Sequence, residues 1–339
     1  MPTACVQIFS GSGQRLQEQH LALPDPLAHG EILVEIDLAT ICGSDLHTLS
    51  GLRREPTPLI LGHEAVGRVV TTARPDIEVG DRISWCIADS CGQCPACTAH
   101  ALPEKCDHLF KYGHAAIEDG SGLNGCYATH ILLRPGTHIT KIDKSLADKV
   151  VAPANCALAT AVNACSRLPL CCNRVLVQGA GLLGLYTCAL LAERGVAEIY
   201  CTDIDQLRLD RCAEFGATPF GGQTDFDAVF EVAGHPALIP PGIAALRPGG
   251  FYIFCGMVHP NTQLDLTGEQ IIRKCLTLRG VHNYSPHHLD QALEFLAQTT
   301  DRYPYSSLVS DPIPLAELPR AIKEAETRRH FRVAIGPQL

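Results

Sequence analysis

Val175-Leu176-Val177-Gln178-Gly179-Ala180-Gly181-Leu182-Leu183-Gly184 is the stretch that decides the fold of this chain. Four residues of buried-strand character run into glycines spaced G-x-G-x-x-G, and a helical apolar pattern continues to about Arg194. The strand-turn-helix setting gives the spacing its meaning. Gly179 makes the tight turn, Gly181 lets a pyrophosphate approach the backbone, and Gly184 lets helix and strand pack closely. Leu182 and Leu183 open the helix, whose unpaired N–H groups favour an anion. Downstream, Asp203 closes the strand Glu198–Thr202. A carboxylate there can accept both hydroxyls of an adenosine ribose and would repel a 2′-phosphate. No arginine follows it directly, so NAD is favoured over NADP, and Arg208 can sit over the adenine end. Asp203 can also cap a helix over 206–215 that stops at Gly216.

Working outward, strands are expected at 228–232, 251–254 and 276–280, with helical residues around 243–246. Ser285-Pro286 reads as the N-cap and first position of a helix running to about Ala297. A further helix follows Leu318-Pro319, and 332–335 could be a closing strand. Toward the N-terminus, residues 31–37 alternate apolar and polar side chains as a half-buried strand does, and 65–70 reads as another. The fold class is α/β: a β-rich first part plus a doubly wound parallel sheet.

The chemistry-bearing residues gather elsewhere. Cys42-Gly43-Ser44-Asp45-Leu46-His47 and Gly62-His63-Glu64 offer sulfur, imidazole, carboxylate and hydroxyl groups within a short span. Zinc takes such N and S donors tetrahedrally, and a catalytic zinc keeps one position open. A third donor must come from far along the chain, and Cys156 is the candidate. Taken singly, a cysteine is usually a small buried hydrophobe. A second set, Cys91, Cys94, Cys97 and Cys106, has the spacing C-x2-C-x2-C-x8-C. Four thiolates interleaved with Gly and Pro suit a closed structural zinc site, with an iron–sulfur cluster or four unconnected thiols as rivals.

Composition bounds the rest. At 339 residues the chain can form two cored domains. A net charge of −9 and no basic stripe argue against nucleic acid. No apolar run is long enough to span a bilayer, and the N-terminus shows no signal peptide. With seventeen cysteines and no secretory signal, a reducing, cytoplasmic setting with metal ligation is expected over a disulfide framework.

Together these motifs resemble the zinc-dependent medium-chain alcohol dehydrogenase superfamily over nearly the whole length. The resemblance rests on C-G-S-D-L-H at 42–47, G-H-E at 62–64, the four-cysteine loop and the dinucleotide fingerprint with Asp203. It implies a GroES-like catalytic domain from residues 1–154, completed by 296–339, and a Rossmann NAD-binding domain from 155–295. It implies two zinc ions, one catalytic on Cys42, His63 and Cys156 and one structural on the cysteine loop. Glu64 would act beside the metal or swing in as a ligand. Asp45 would orient His63, and Ser44 with His47 would relay the alcohol proton to solvent while a hydride passes to the nicotinamide. By analogy the chain is a homo-oligomer, dimer or tetramer. The loop departs from the family in its last gap, one residue longer, with His100 where a glycine is often found. Short segments, Pro153-Ala154-Asn155-Cys156 and Lys111-Tyr112-Gly113-His114, resemble a branch associated with phosphonate metabolism.

The resemblance implies a small alcohol or its carbonyl partner as the substrate. Arg53 and Arg54, between the two zinc ligands, suit a phosphonate or carboxylate if they point inward, which makes a hydroxyalkylphosphonate the first candidate. Solvated arginines, with a neutral polyol or secondary alcohol as substrate, are the competing reading. A zinc-ribbon interaction protein and a zinc-free quinone reductase are the alternatives of other kinds.

Overall fold

The computed structural model describes residues 2–258 and 262–336. The chain forms two units, Met1–Cys156 with Ser285–Leu339, and Ala157–Tyr284. The return to the first unit falls at Ser285 rather than at 296. The helix Pro286–Thr299 packs on the first unit, where Asp290 accepts from Thr140 Oγ1 at 2.6 Å and meets His138 Nε2 at 2.9 Å.

The first unit carries strands β1 (Thr3–Phe9), β2 (Gln17–Ala22), β3 (Ile32–Ile41), β4 (Leu59–Ile60), β5 (Glu64–Thr72), β6 (Arg82–Trp85), β7 (Ala88–Asp89), β8 (Phe110–Lys111), β9 (His130–Leu133) and β10 (Ile139–Lys141). The second carries β11 (Arg174–Gln178), β12 (Glu198–Thr202), β13 (Thr218–Pro219), β14 (Phe226–Glu231), β15 (Leu246–Phe254) and β16 (Thr277–Gly280). Strands β17 (Ile313–Pro314) and β18 (Val333–Gly336) belong again to the first.

In the first unit β3 is the axis. It pairs with β5, β9 and β18 in a sheet ordered β10-β6-β5-β3-β18-β17, beside a smaller sheet β2-β1-β4. The alternation over 31–37 suggests a half-buried strand. Instead nearly every β3 residue is buried, and only Glu35 and Asp37 are partly exposed. Its flanks are occupied on both sides, and the core containing Phe9, Ile36, Trp85 and Tyr127 packs around it. The strand ends at Ile41, where Cys42 turns the chain into the helix Gly43–Leu49.

The second unit is one parallel sheet of order β13-β12-β11-β14-β15-β16. Numbered within the unit this is 3-2-1-4-5-6, the dinucleotide-binding order with its crossover point beside β11. The helix Leu182–Glu193 is apolar on nearly all faces because it is almost wholly buried. The helix expected over 206–215 is α-helical only over Gln206–Asp210. It tightens to a 3-10 turn at Arg211–Phe215 and stops at Gly216, whose φ of +79° a side chain would resist.

The fingerprint glycines differ in what they tolerate. A Cβ on Gly184 would lie 1.8 Å from the Gly179 carbonyl oxygen, whereas one on Gly181 meets only Arg208 Nη1, at 4.0 Å. Gly184→Ala is therefore expected to cost about 2 kcal/mol or more in urea unfolding. Gly181→Ala should leave the unfolding midpoint near wild type. Equal midpoints for both would contradict this packing.

Candidate metal centre and active site

The end of β3, the start of β5 and a turn after the helix Asp148–Val151 meet at one point. They bring together ligand atoms of Cys42, His63, Glu64 and Cys156, all within 4.8 Å of one another. The turn carrying Cys156 is a single π-helical turn, Ala154–Leu158, ahead of the helix Ala159–Ser166. Such bulges often mark functional positions. The fully buried Asn155 locks it in place. Its amide donates to the His63 carbonyl at 3.1 Å and the Trp85 carbonyl at 3.0 Å, tying the third donor to the segment of the second.

His63 is aimed by its surroundings. Nδ1 lies 3.3 Å from Asp45 Oδ1, and Nε2 lies 3.4 Å from Ser44 Oγ. Asp45 is completely buried, and its Oδ2 accepts from the Cys42 N–H and the Tyr127 hydroxyl, both at 2.9 Å. A carboxylate behind an imidazole fixes which nitrogen faces a metal. Burial alone would pull His63 down. Asp45 and Cys42 more than reverse this and hold the imidazole at about 10. The Cys156 thiol hydrogen-bonds the Cys42 sulfur. That bond, aided by Arg332 and His63 against burial, lowers Cys42 well below the ordinary thiol range and pushes Cys156 well above it.

Glu64 sits behind the donors, also completely buried. It accepts from Thr40 Oγ1 at 2.6 Å and takes a two-pronged ion pair from Arg332, with Nε at 2.7 Å and Nη2 at 2.8 Å. Arg332 Nη2 also lies 3.5 Å from the Cys42 sulfur. Burial raises Glu64 to about 7 against the pull of Arg332. The register explains the encounter. Val333 on β18 pairs with Ile41 on β3, so Arg332 comes beside Cys42, while Thr40 pairs with Glu64.

Two sulfurs and one imidazole nitrogen, with a carboxylate in reserve, make a soft donor set that suits zinc with a position left open. Ser44 and His47, three positions apart on the helix Gly43–Leu49, are each half-buried. Arg53 is folded onto Glu55 at 2.6 Å, and Arg54 is exposed. Glu55 also accepts from His114 Nδ1 at 2.9 Å, and the His114 ring lies 5.0 Å from that of His63.

The second cluster, Cys91, Cys94, Cys97 and Cys106, brings its sulfurs within 4.8 Å of one another. Backbone N–H groups point at them: Cys91 N to Cys106 Sγ at 3.2 Å, Cys94 N to Cys91 Sγ at 3.4 Å, and His108 N to Cys106 Sγ at 3.3 Å. The Asp107 N–H, first among several such donors, lowers Cys94 to about 6. Four sulfurs with no other donor form a closed set. The longer last gap contains Ala101 at a left-handed φ of +51°, next to His100.

In the second unit the Asp203 carboxylate braces the glycine turn. Oδ2 accepts from the Ala180 N–H at 2.7 Å and Oδ1 from the Asp205 N–H at 2.9 Å. The helix cap is Asp205, not Asp203: its Oδ1 accepts from the N–H of Leu207 at 3.0 Å and of Arg208 at 3.4 Å. Gly181 is the N-cap of the helix that Leu182 and Leu183 open, with Arg208 close by.

Among the described residues no helix is long and apolar enough to cross a membrane. The donor sets and the sheet order are those of a zinc-containing oxidoreductase that uses a dinucleotide. Family models agree. Residues 28–144 match the alcohol dehydrogenase GroES-like domain, and residues 150–335 match the glucose dehydrogenase C-terminus. The chain belongs to the zinc-containing medium-chain alcohol dehydrogenase family. It is 28% identical to 5-exo-hydroxycamphor dehydrogenase of Pseudomonas putida, covering 91% of this chain and 92% of that one. It is 28% identical to L-threonine 3-dehydrogenase of Streptomyces avermitilis, over 84% and 88%. An alcohol dehydrogenase structure from Thermotoga maritima superposes with a TM-score of 0.93 at 27% identity, covering the whole of both chains.

The roles of Arg332, Tyr127 and Thr40 gave no signal in the sequence, because each reaches the centre from another segment through strand register or side-chain length, and Asn155 stood only in a quoted segment with no role of its own. Removing Arg332 would strand a buried carboxylate. Arg332→Leu is expected to cost about 3–5 kcal/mol in urea unfolding, part of it recovered in Arg332→Leu/Glu64→Gln. Strictly additive losses would mean the two side chains are not coupled. Cys156→Ala and Cys106→Ala should each lower bound zinc by about one ion per chain, measured by elemental analysis. An unchanged content in either variant would remove that residue from its site.

Proposed function

We propose that the chain is an NAD-dependent alcohol dehydrogenase, interconverting an alcohol and its aldehyde or ketone. One observation carries the reading: donor atoms of Cys42, His63 and Cys156 converge, with Glu64, within 4.8 Å of one another. Zinc held by these three residues supplies Lewis acidity toward the alcohol oxygen, and NAD supplies the hydride acceptor. The chain's own residues do the rest. Asp45, fixed by Tyr127 and the Cys42 N–H, keeps His63 Nε2 turned toward the centre. Ser44 Oγ, beside that nitrogen, accepts the alcohol proton as it passes its own hydroxyl proton on toward His47, on the same helix face, which releases a proton to solvent. Glu64 stays paired with Arg332 and offers a further carboxylate oxygen. The four-cysteine set holds a second, structural zinc.

The partly exposed Asp203 carboxylate supports NAD over NADP, because a 2′-phosphate brought to it would meet a like charge. None of the seventeen cysteines is disulfide-bonded, which supports a reducing cytoplasmic setting. For the substrate, a hydroxyalkylphosphonate or similar anionic alcohol is preferred. The pairing of Arg53 with Glu55 favours a neutral polyol or secondary alcohol as the second reading, since that arginine is already neutralised.

An alcohol panel followed by NADH absorbance tests the activity. NADP is expected to serve at least about tenfold less well than NAD, with the gap narrowing in Asp203→Ser. Ser44→Ala should lower kcat by about 10²–10³-fold with its zinc retained. A Ser44→Ala enzyme with wild-type kcat would take this hydroxyl out of the proton path.

A further inference from the structure

Three cations outside the Glu64 pair, Arg53, Arg54 and Lys111, differ in their situations. Arg54 is exposed, and Arg53 is tied to Glu55, which is itself shared with His114. Lys111 is half-buried, and its ammonium has no ion pair and no hydrogen bond among the described residues. Leaving a partly desolvated ammonium without a counter-ion is costly unless a ligand completes it.

Its position is set by backbone packing. Lys111 lies on the short strand β8, opposite Ala88 on β7, and its carbonyl accepts from the His114 N–H at 3.2 Å. The next turn presses against the segment that carries His63. A Cβ on Gly113 would stand 2.4 Å from the Gly62 carbonyl oxygen, and the His114 ring rests against that of His63. The segment 111–114 is thus locked to the metal-binding segment 62–64. The titratable groups that act on the ammonium include Arg53, Glu55 and two sulfur donors of the centre, Cys156 and Cys42. Burial first, and then Arg53, pull it down to about 8, which leaves it protonated at neutral pH.

We infer that Lys111 binds an anionic group of the substrate, so that the enzyme acts on alcohols bearing a phosphonate, phosphate or carboxylate close to the hydroxyl carbon. This rests on the reading of the Cys42–His63–Cys156 centre as the alcohol-oxidising site, and it moves the anion contact from Arg53 and Arg54 to a residue on another loop. A lone, strongly hydrated ammonium acts as a point charge and tolerates more than one anion shape.

Hydroxymethylphosphonate, glycolate and ethanol form a test series that varies the group beside one hydroxymethyl carbon. With zinc-loaded enzyme and NAD, either anion should exceed ethanol in kcat/KM by at least about tenfold. In Lys111→Met the anion-to-ethanol ratio should fall by about 10–100-fold, mainly through KM, and Lys111→Arg should restore part of it. The arm that loses more tells phosphonate from carboxylate. Titration calorimetry with methylphosphonate reads the same contact without turnover, and binding should weaken at least about tenfold in Lys111→Met. Equal losses on anion and ethanol, or methylphosphonate binding that ignores the substitution, would overturn the inference. Ethanol oxidation with no binding of methylphosphonate overturns the inference and leaves the dehydrogenase reading standing. Lys111-dependent binding with no turnover of any alcohol does the reverse.

Discussion

A buried ion pair between residues far apart in the chain organises the first unit around its donor cluster. Glu64, with no solvent contact, is held by both prongs of Arg332, and the same guanidinium reaches the Cys42 sulfur. A lone buried carboxylate would be expensive, and so would a lone buried guanidinium. The C-terminal strand must therefore lie against β3 for either to be accommodated, and once it does, Cys42 and His63 are fixed beside each other. The pair is better understood as a constraint on geometry than as a source of net stability. Asp45 with Tyr127 and Asn155 with the His63 and Trp85 carbonyls repeat the arrangement on other sides of the centre. Each is a buried polar group whose partner comes from a distant segment.

This explains what could be read from the sequence. Residues Gly179 to Gly184 announce themselves because strand, turn and helix are local, and the structure places β11 and the helix Leu182–Glu193 where that pattern indicates. Cys42 with His63, and the four-cysteine loop, are legible because their spacings are short. Cys156 is legible only as a candidate for the distant third donor, to which the family resemblance adds its place, since nothing local distinguishes it from the other cysteines. Arg332 reads as the first residue of a closing strand, and its charge acquires meaning only when β18 lines up with β3. Lys111 falls in a segment that the resemblance singles out, but the sequence does not show it unpaired, because an unpaired cation is defined by what three-dimensional packing fails to bring near it.

Errors of detail have the same origin. The cap at 205 rather than 203 depends on one residue of backbone geometry. The chain's return at Ser285 depends on Asp290 meeting His138 and Thr140, contacts between segments some 150 positions apart. The burial of β3 on nearly its whole length reflects sheet partners that no alternation of apolar and polar residues can reveal.

X-ray absorption at the zinc edge tests the central claim most directly, because it reports the atoms around the metal rather than its amount. A four-sulfur site and a site of two sulfurs with nitrogen and oxygen predict an average of about three sulfurs per zinc, with a clear imidazole contribution. A pure four-sulfur shell with no imidazole signal would contradict the account, since Cys42, His63 and Cys156 would then hold no metal.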